Sequence, residues 1–357
     1  MVVRSSATAR RLFLSALLAP GLGCDDWRDG LDAWYDGENL TYYNSPSLVA
    51  CGGTRAHVDG FVPFVTGELG LSPPAGIAYV WLDTDDFADS TCDPEIASGC
   101  AHGRRAQSTS PTHLHELVHA VTWAHGMNRL PFLTEGIAVA YEGPLGWPPV
   151  GEELSDPRPV MTVPGSEVPY GTAGAFVQFL LWRHGPAPLV DWAQQTAAGD
   201  DLARIAALFA DAYGLDLDDE VEAFRSTWSC GDDPLPVRPY ACAAPTIPWT
   251  TPETWTHTQS MDCSRDDVVG GFSPLYAWPS ASAVTLDVDH PGPYTLVVES
   301  DGDFTVRLAP CFGCPWDGQQ VVLRERGAES LELAPGRYYL QIQANSDEAP
   351  EVTVSLQ

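Results

Sequence analysis

The segment HLHELVH at residues 113–119 constrains this chain more than any other feature. His115 and His119 are four residues apart, so on a helix both rings project from one face on successive turns. Two imidazoles placed in this way can bind one Zn²⁺, and Glu116 stands on the adjoining flank, where its carboxylate can reach a zinc-bound water without being a ligand. We therefore predict a zinc site with His115 and His119 as ligands and Glu116 as the general base.

The residues around these histidines predict an amphipathic helix that begins at Ser110 and Pro111 and ends at Gly126. Serine is a common helix cap, proline is favoured at the first helical position, and glycine often follows the last turn. Four apolar residues recur on one face at intervals of three and four: Leu114, Leu117, Val118 and Val121. The alternative is an exposed helix with two solvated histidines that bind no metal.

A catalytic zinc needs a third protein ligand, and two residues compete for that role. Glu135 lies sixteen residues after His119, among apolar residues at the start of a second expected helix, where a buried charge needs a reason. His125 lies six residues after His119, which matches the spacing of the metzincin peptidases, with Met161 as a candidate for their Met-turn. Thr122 stands where that pattern has the glycine that turns the chain. We favour Glu135 and keep His125 as the alternative.

The HELVH motif followed by Thr-Glu-Gly-Ile-Ala at 134–138 resembles the gluzincin zinc metallopeptidases, and most of all bacterial proteins with a peptidase-MA-like domain. The resemblance implies an α+β zincin-like, thermolysin-like fold for the first part of the chain. It also implies a role for Tyr170, which precedes a helix containing Gly174. In related aminopeptidase gluzincins, a tyrosine just ahead of a similar helix donates a hydrogen bond to the oxyanion.

Secondary-structure patterns divide the chain into two parts. Helical periodicity covers residues 54–70, 132–142, 171–184, 200–213 and 218–228, and strands are expected at 40–43, 77–82 and 104–108, the last as an edge strand. From 251 onward, short strands alternate with turn residues, which predicts an all-β sandwich domain. Residues 291–296 and 335–340 resemble the pre-peptidase C-terminal β-sandwiches appended to secreted bacterial peptidases. The predicted order is a metallopeptidase domain at 41–232, a proline-rich linker at 233–250 and the sandwich at 251–357.

The first residues are typical of an exported protein. Arg4, Arg10 and Arg11 precede a short apolar run at 12–19, too short to span a bilayer. Small residues then lead to Cys24, and this resembles a bacterial lipoprotein signal in which that cysteine is lipidated. We therefore expect a signal peptide at 1–23 and a tether at 24–40. The protein would be a lipoprotein of the bacterial outer membrane or cell surface, or, with ordinary cleavage, a secreted one.

The number of cysteines, nine, is consistent with an exported protein. Without Cys24, eight remain, an even number that suits an oxidising compartment and allows four disulfides. The shortest separations favour two pairs, Cys92 with Cys100 and Cys230 with Cys242. The CxxC of Cys311 and Cys314 lies among expected strands, so we expect a structural role for it and no redox or zinc function.

The net charge of −30 excludes one class of partner. All 18 basic residues are arginines, against 48 acidic residues, and such a chain repels the phosphates of nucleic acid. The acidic clusters at 83–89 and 215–219 do not follow the EF-hand spacing, so we expect solvated surfaces there. A membrane contact is expected only through the lipid anchor.

These features together predict a monomeric zinc metallopeptidase that hydrolyses peptide or protein substrates by means of a Glu116-activated, zinc-bound water. The main alternative of another class is a non-catalytic surface lipoprotein, in which the zincin-like domain is a scaffold and the sandwich binds a partner. An intact Glu116 favours the enzyme, because a structural zinc site has no use for a general base.

Overall fold

The computed structural model describes residues 31–90, 92, 98–127, 129–142, 155–227, 239–272, 280–311, 321–345 and 349–357. The predicted signal peptide, the lipidation at Cys24 and the partners of Cys230 and Cys314 lie outside these residues. The described chain is mixed α and β, with two large hydrophobic cores and two smaller clusters. One core is built from residues between Leu40 and Phe224, and the other from residues between Trp255 and Leu356.

The first core lies against one face of a mixed five-stranded sheet in the order β1-β2-β4-β6-β5, and a smaller cluster that contains Tyr43, Val80 and Phe87 covers the other face. Its strands are β1 (Asp32–Asp36), β2 (Leu40–Asn44), β4 (Ile77–Trp81), β5 (Gly99–His102) and β6 (Arg105–Ser108). β2, β4 and β6 run parallel, and all five residues of β4 are buried, as expected for a central strand. β5 is antiparallel to β6 and forms the edge of the sheet.

Most helices of this unit contribute to the core on one face of the sheet. The helices are α1 (Thr54–Glu68), α2 (Thr84–Ala88), α3 (Leu114–Ala124), α4 (Pro131–Glu142), α5 (Tyr170–His184), α6 (Pro186–Gln195), α7 (Leu202–Tyr213) and α8 (Leu217–Thr227). α4 and α5 lie side by side over most of their length, and α4 also packs against α3. None of the helices that the structure describes is long and apolar enough to cross a membrane.

Two predictions for this region are wrong. The tether expected at 24–40 includes Asp32–Asp36, which pairs with β2 and belongs to the sheet. The strand expected at the edge, β6, lies between β4 and β5, because a tight turn at Gly103 folds β5 back along it. The strand at this edge of the sheet is therefore β5, which sequence periodicity missed.

The second core lies between two four-stranded antiparallel sheets that form a β-sandwich-like unit. One sheet contains, in spatial order, β13 (Gly327–Leu333), β10 (Gly292–Ser300), β15 (Glu351–Leu356) and β7 (Trp255–Ser260). The other contains β12 (Val321–Leu323), β11 (Phe304–Pro310), β14 (Gly336–Ala344) and β9 (Ser280–Val288). Alternate residues of each strand face the core, as sandwich geometry requires.

A strand pair and a disulfide join the two units in addition to the polypeptide chain. β3 (Val49–Ala50) pairs with β8 (Gly271–Phe272), and a disulfide links Cys51 to Cys263 beside that pair. The predicted linker at 233–250 is wrong from residue 239 onward, because Ile247 and Trp249 pack against the sandwich core.

Three disulfides place the protein in an oxidising compartment, such as the periplasm or the cell exterior. The predicted pair Cys92–Cys100 is confirmed. The predicted pair Cys230–Cys242 is wrong, because Cys242 is bonded to Cys311. A one-turn helix at Tyr240–Ala243 packs on the outer face of the sandwich and brings Cys242 to the end of β11, a contact that sequence separation cannot reveal.

Candidate metal centre

The start of α3 is fixed by two buried tyrosines from the sheet. The Tyr79 hydroxyl donates to the Ser110 carbonyl at 2.7 Å and accepts from the His113 amide at 2.6 Å. The Tyr42 hydroxyl donates to the Pro111 carbonyl at 3.0 Å. These bonds hold residues 110–113 in a turn, so the helix begins at Leu114 and the prediction that it begins at Ser110 and Pro111 is wrong. The turn therefore determines where His115 and His119 lie relative to the sheet.

Three predicted ligands converge at one point. The Nε2 atoms of His115 and His119 are 3.1 Å apart, and Oε2 of Glu135 lies 3.2 Å from the first and 3.3 Å from the second. Both imidazoles are buried, and Glu135 reaches them from the second turn of α4. Donor atoms 2.0 to 2.1 Å from a tetrahedral Zn²⁺ are separated by about 3.3 to 3.4 Å. These residues therefore fit a metal ion, with a fourth position left for another ligand.

The electrostatics of the cluster also suit a cation. Burial by itself lowers the pKa of His115, but hydrogen bonds to Glu135 and Glu142 raise it to about 10. Burial raises the pKa of Glu135, whereas its hydrogen bonds to His115 and His119 lower it to about 2. In the absence of metal, a proton on His115 neutralises the carboxylate. A divalent ion bound at the same point would neutralise this carboxylate instead of the proton.

Glu142 is a member of the cluster that the sequence analysis missed. It lies at the end of α4, and its Oε2 is 3.2 Å from Nδ1 of His115. A carboxylate on the remote nitrogen orients a ligating imidazole and fixes the tautomer that leaves Nε2 free for the metal. Glu142 follows Glu135 by seven positions, which places both on one helix face. This spacing is the signal that could have revealed Glu142.

Glu116 is buried beside the ligands and makes no hydrogen bond to another described residue. Burial raises its pKa, and the neighbouring histidines oppose that effect. The first residue of β5 lies directly over it, because a β-carbon placed on Gly99 would be 2.8 Å from Cγ of Glu116. The edge strand of the sheet thus begins beside the predicted general base.

Tyr170 is the first residue of α5, and its ring stacks on His115 with centroids 5.6 Å apart. Burial and the nearby Glu135 raise its pKa, so the hydroxyl keeps its proton at neutral pH and remains a donor. Two glycines permit this arrangement. A β-carbon on Gly136 would lie 2.8 Å from the Ala173 carbonyl, and one on Gly174 would lie 2.3 Å from Cγ1 of Val139. The glycine after Glu135 therefore allows the close helix contact that brings Tyr170 to the site.

The metzincin alternative does not fit this geometry. His125 caps the end of α3, and its Nε2 lies 3.0 Å from the Ser72 carbonyl instead of beside the other histidines. Thr122 continues the helix by donating to the Val118 carbonyl, and no turn carries His125 back. Met161 is buried in the first core. His113 is largely buried, with Nδ1 2.8 Å from the Ser108 hydroxyl and Nε2 4.0 Å from Glu142.

A second group with metal-binding side chains lies at the edge of the sheet. It contains Cys92, Cys100 and His102, with Nε2 of His102 3.2 Å from Sγ of Cys100. The two sulfurs are joined in a disulfide, so the thiolates that a metal would need are not present.

Comparisons with solved structures find remote likenesses. The pre-peptidase C-terminal domain of a Bacillus anthracis collagenase is 15% identical over 32% of this chain and 94% of its own, with a TM-score of 0.23. An Aeromonas hydrophila periplasmic inhibitor of g-type lysozyme is 13% identical over 32% and 97%, with a TM-score of 0.22. Legionella pneumophila aminopeptidase A is 9% identical over 86% and 34%, with a TM-score of 0.29. These scores are too low to carry a functional argument. No model of a known protein family matches the chain, and no curated protein matches it.

Proposed function

We propose that this protein is a zinc-dependent metallopeptidase with a zincin-like catalytic domain of the gluzincin type. One observation carries the proposal: His115, His119 and Glu135 bring three donor atoms to one point, with Glu116 buried on the adjoining flank. Zinc, when bound, supplies a Lewis acid that polarises a carbonyl and lowers the pKa of water.

Glu116 is the base in this mechanism. It accepts the proton of the attacking water and returns it to the leaving amine, and a raised pKa suits a group that must both take and give a proton near neutral pH. A buried carboxylate without a hydrogen bond to the described protein costs desolvation energy that no such bond offsets. Its retention beside the ligands supports a catalytic role over the scaffold alternative.

Tyr170 donates a hydrogen bond to the oxygen that becomes negative as the carbonyl is attacked. Its position against His115 supports this role, and its raised pKa keeps the hydroxyl protonated. Glu142 holds the ring of His115 through Nδ1, so that Nε2 faces the other ligands. Peptides or proteins outside the cytoplasm are the proposed substrates. The proposal keeps a lipid anchor at Cys24 and a monomeric state.

The test is metal content and hydrolysis by the purified protein, with three variants beside the wild type. We expect about one zinc per chain by elemental mass spectrometry, a marked loss in Glu135→Ala and full retention in His125→Ala. Glu116→Gln should keep its zinc and lose hydrolysis of unfolded casein by a factor of about 10² to 10⁴. If zinc binds but wild type and Glu116→Gln are equally inert on casein and on a peptide library, the protein is a scaffold. Zinc lost in His125→Ala and kept in Glu135→Ala would overturn the ligand set.

A further inference from the structure

A cleft of about 1040 Å³ lies between the two domains. One wall is a face of α1 formed by Ala56, Gly60 and Phe64, which recur every four residues and so line one side of the helix. The opposite wall belongs to the outer face of the sandwich sheet that contains β14 and β9. The pairing of β3 with β8 and the Cys51–Cys263 disulfide hold these walls in place.

The cleft adjoins the metal centre. Ser98, His113 and Glu142 all line it. Ser98 immediately precedes Gly99, the residue over Glu116, and Glu142 is hydrogen-bonded to His115. A ligand in the cleft would therefore lie next to the site at which the proposed chemistry takes place.

Two carboxamides project into the cleft from β14. Gln341 and Gln343 alternate with core residues of that strand, so both side chains lie on its outer face, and both are partly exposed. Neither side chain is hydrogen-bonded to another residue in the described part of the chain. A carboxamide offers one acceptor and two donors, which match the carbonyl and the amide of a peptide group whatever the side chains of the peptide.

The edge of β9 adds a main-chain peptide site. Ala281 exchanges hydrogen bonds with Val269, and Thr285 bonds to Pro245 and Ile247, so the outward-facing groups at these positions are paired. Ala283 lies between them and faces the same way, because alternate residues of an antiparallel edge strand point outward. Among the described residues, nothing pairs with its amide and carbonyl, and Ala283 lines the cleft. A peptide can bind such a gap by strand-type hydrogen bonds.

We infer that the cleft between the domains binds an extended segment of the polypeptide substrate through its peptide groups, so that the sandwich forms part of the substrate site. This inference rests on the proposed peptidase function. It assigns to the protein long, unfolded polypeptides as substrates, recognised by main-chain amides with little regard to sequence. Dipeptides do not reach the cleft and the metal centre together.

The experiment measures binding without turnover. Oxidised insulin B chain and a dipeptide, each labelled with fluorescein, are titrated with the Glu116→Gln protein by fluorescence anisotropy. Adding Gln341→Leu and Gln343→Leu should weaken binding of the B chain about fivefold for each amide lost, with the dipeptide unaffected. The matched control is Gln195→Leu, an exposed glutamine on α6 whose side chain bonds only within its own helix, which should change neither affinity.

A second measurement does not depend on a variant. Hydrogen exchange of a fragment covering Ser280–Val288 should slow at Ala283 when the B chain is added. Equal affinities of the double variant and the Gln195→Leu control for the B chain, or exchange at Ala283 that the B chain leaves unchanged, would overturn the inference. Because neither readout needs hydrolysis, an inactive wild type would count against the proposed function alone.

Discussion

Gly136 of α4 packs directly on the main chain of Ala173 in α5, where a β-carbon would lie 2.8 Å from the carbonyl oxygen. Gly136→Ala must therefore push the two helices apart and move Tyr170 away from His115. We expect a loss of about 1 to 3 kcal/mol in the free energy of unfolding, as for other overpacked sites, and reduced hydrolysis. Urea denaturation of the variant measures the first effect.

The control for this variant is Gly67→Ala in α1, where a β-carbon meets nothing within 4 Å. Alanine in an open helical position should raise the free energy of unfolding by about 0.5 to 1 kcal/mol. Unfolding curves for Gly136→Ala that match those of Gly67→Ala would contradict the close contact between α4 and α5.

Glu142→Ala should weaken zinc binding by about 10- to 100-fold, because His115 loses the carboxylate that fixes its ring and tautomer. Competition with a zinc-chelating dye measures this affinity directly. Glu142→Gln should recover part of the loss, since its carbonyl oxygen still accepts from Nδ1. Unchanged zinc affinity in both variants would mean that Glu142 does not orient the ligand.

Zinc binding to the chelator-stripped protein at pH 7.5 should release about one proton, because metal-free His115 has a pKa of about 10 and must lose its proton to ligate. Calorimetric titrations in buffers of different ionisation enthalpy count this proton. Affinity for zinc should accordingly fall as the pH is lowered. His115→Ala should abolish both the proton release and the binding.

The same pKa sets the pH dependence of stability without metal. The folded protein holds a proton on His115 that the unfolded chain loses above about pH 6.5. The stabilisation by its hydrogen bonds to Glu135 and Glu142 is therefore complete below that pH and disappears as the pH rises through about 10. Denaturation of the stripped protein from pH 6 to 10 should show this decline. Zinc-loaded protein, in which His115 carries no such proton, should not show it.

Gly99→Ala should lower the rate of hydrolysis and leave zinc content unchanged. Its β-carbon would lie 2.6 Å from Nδ1 of His113 and 2.8 Å from Cγ of Glu116, so the proposed general base must shift, whereas no proposed ligand is among these contacts. Kinetics on casein, together with elemental analysis, separate the two effects. Gly327→Ala in β13, where a β-carbon meets nothing within 4 Å, is the control and should keep wild-type activity.

Apolar patterns, and the turn residues that bound them, predicted most elements. The helices expected at 132–142 and 171–184 are observed at Pro131–Glu142 and Tyr170–His184. The start of α3 could not be predicted in this way. Ser110 and Pro111 form a good local start, but hydrogen bonds from tyrosines on two distant strands hold them in a turn. Tertiary contacts overrode the local preference.

The HExxH spacing predicted which residues lie together but not what supports them. His115, His119 and Glu135 meet as the spacing and the resemblance implied. The motif does not explain why glycine follows Glu135, whereas the close packing of α5 on Gly136 does. Glu142 lies outside the motif, so the spacing could not include it. Of the two predicted cysteine pairs, only Cys92 with Cys100 was correct, because a separation of eight residues leaves little choice. The other two observed pairs join distant parts of the chain, and one of them takes Cys242 away from its predicted partner Cys230.

The disulfide between Cys51 and Cys263 spans 212 residues, and this has a consequence for maturation. A chain threaded through a translocon from its N-terminus delivers Cys51 before Cys92 and Cys100, and the true partner of Cys51 much later. During that interval Cys51 is a free thiol near two wrong partners, and thiolates exchange readily with disulfides. Cells lacking a disulfide isomerase should accumulate protein with Cys51 mispaired, visible by mass spectrometry of non-reduced fragments. Correct assembly of the first domain thus waits for the last third of the chain to emerge.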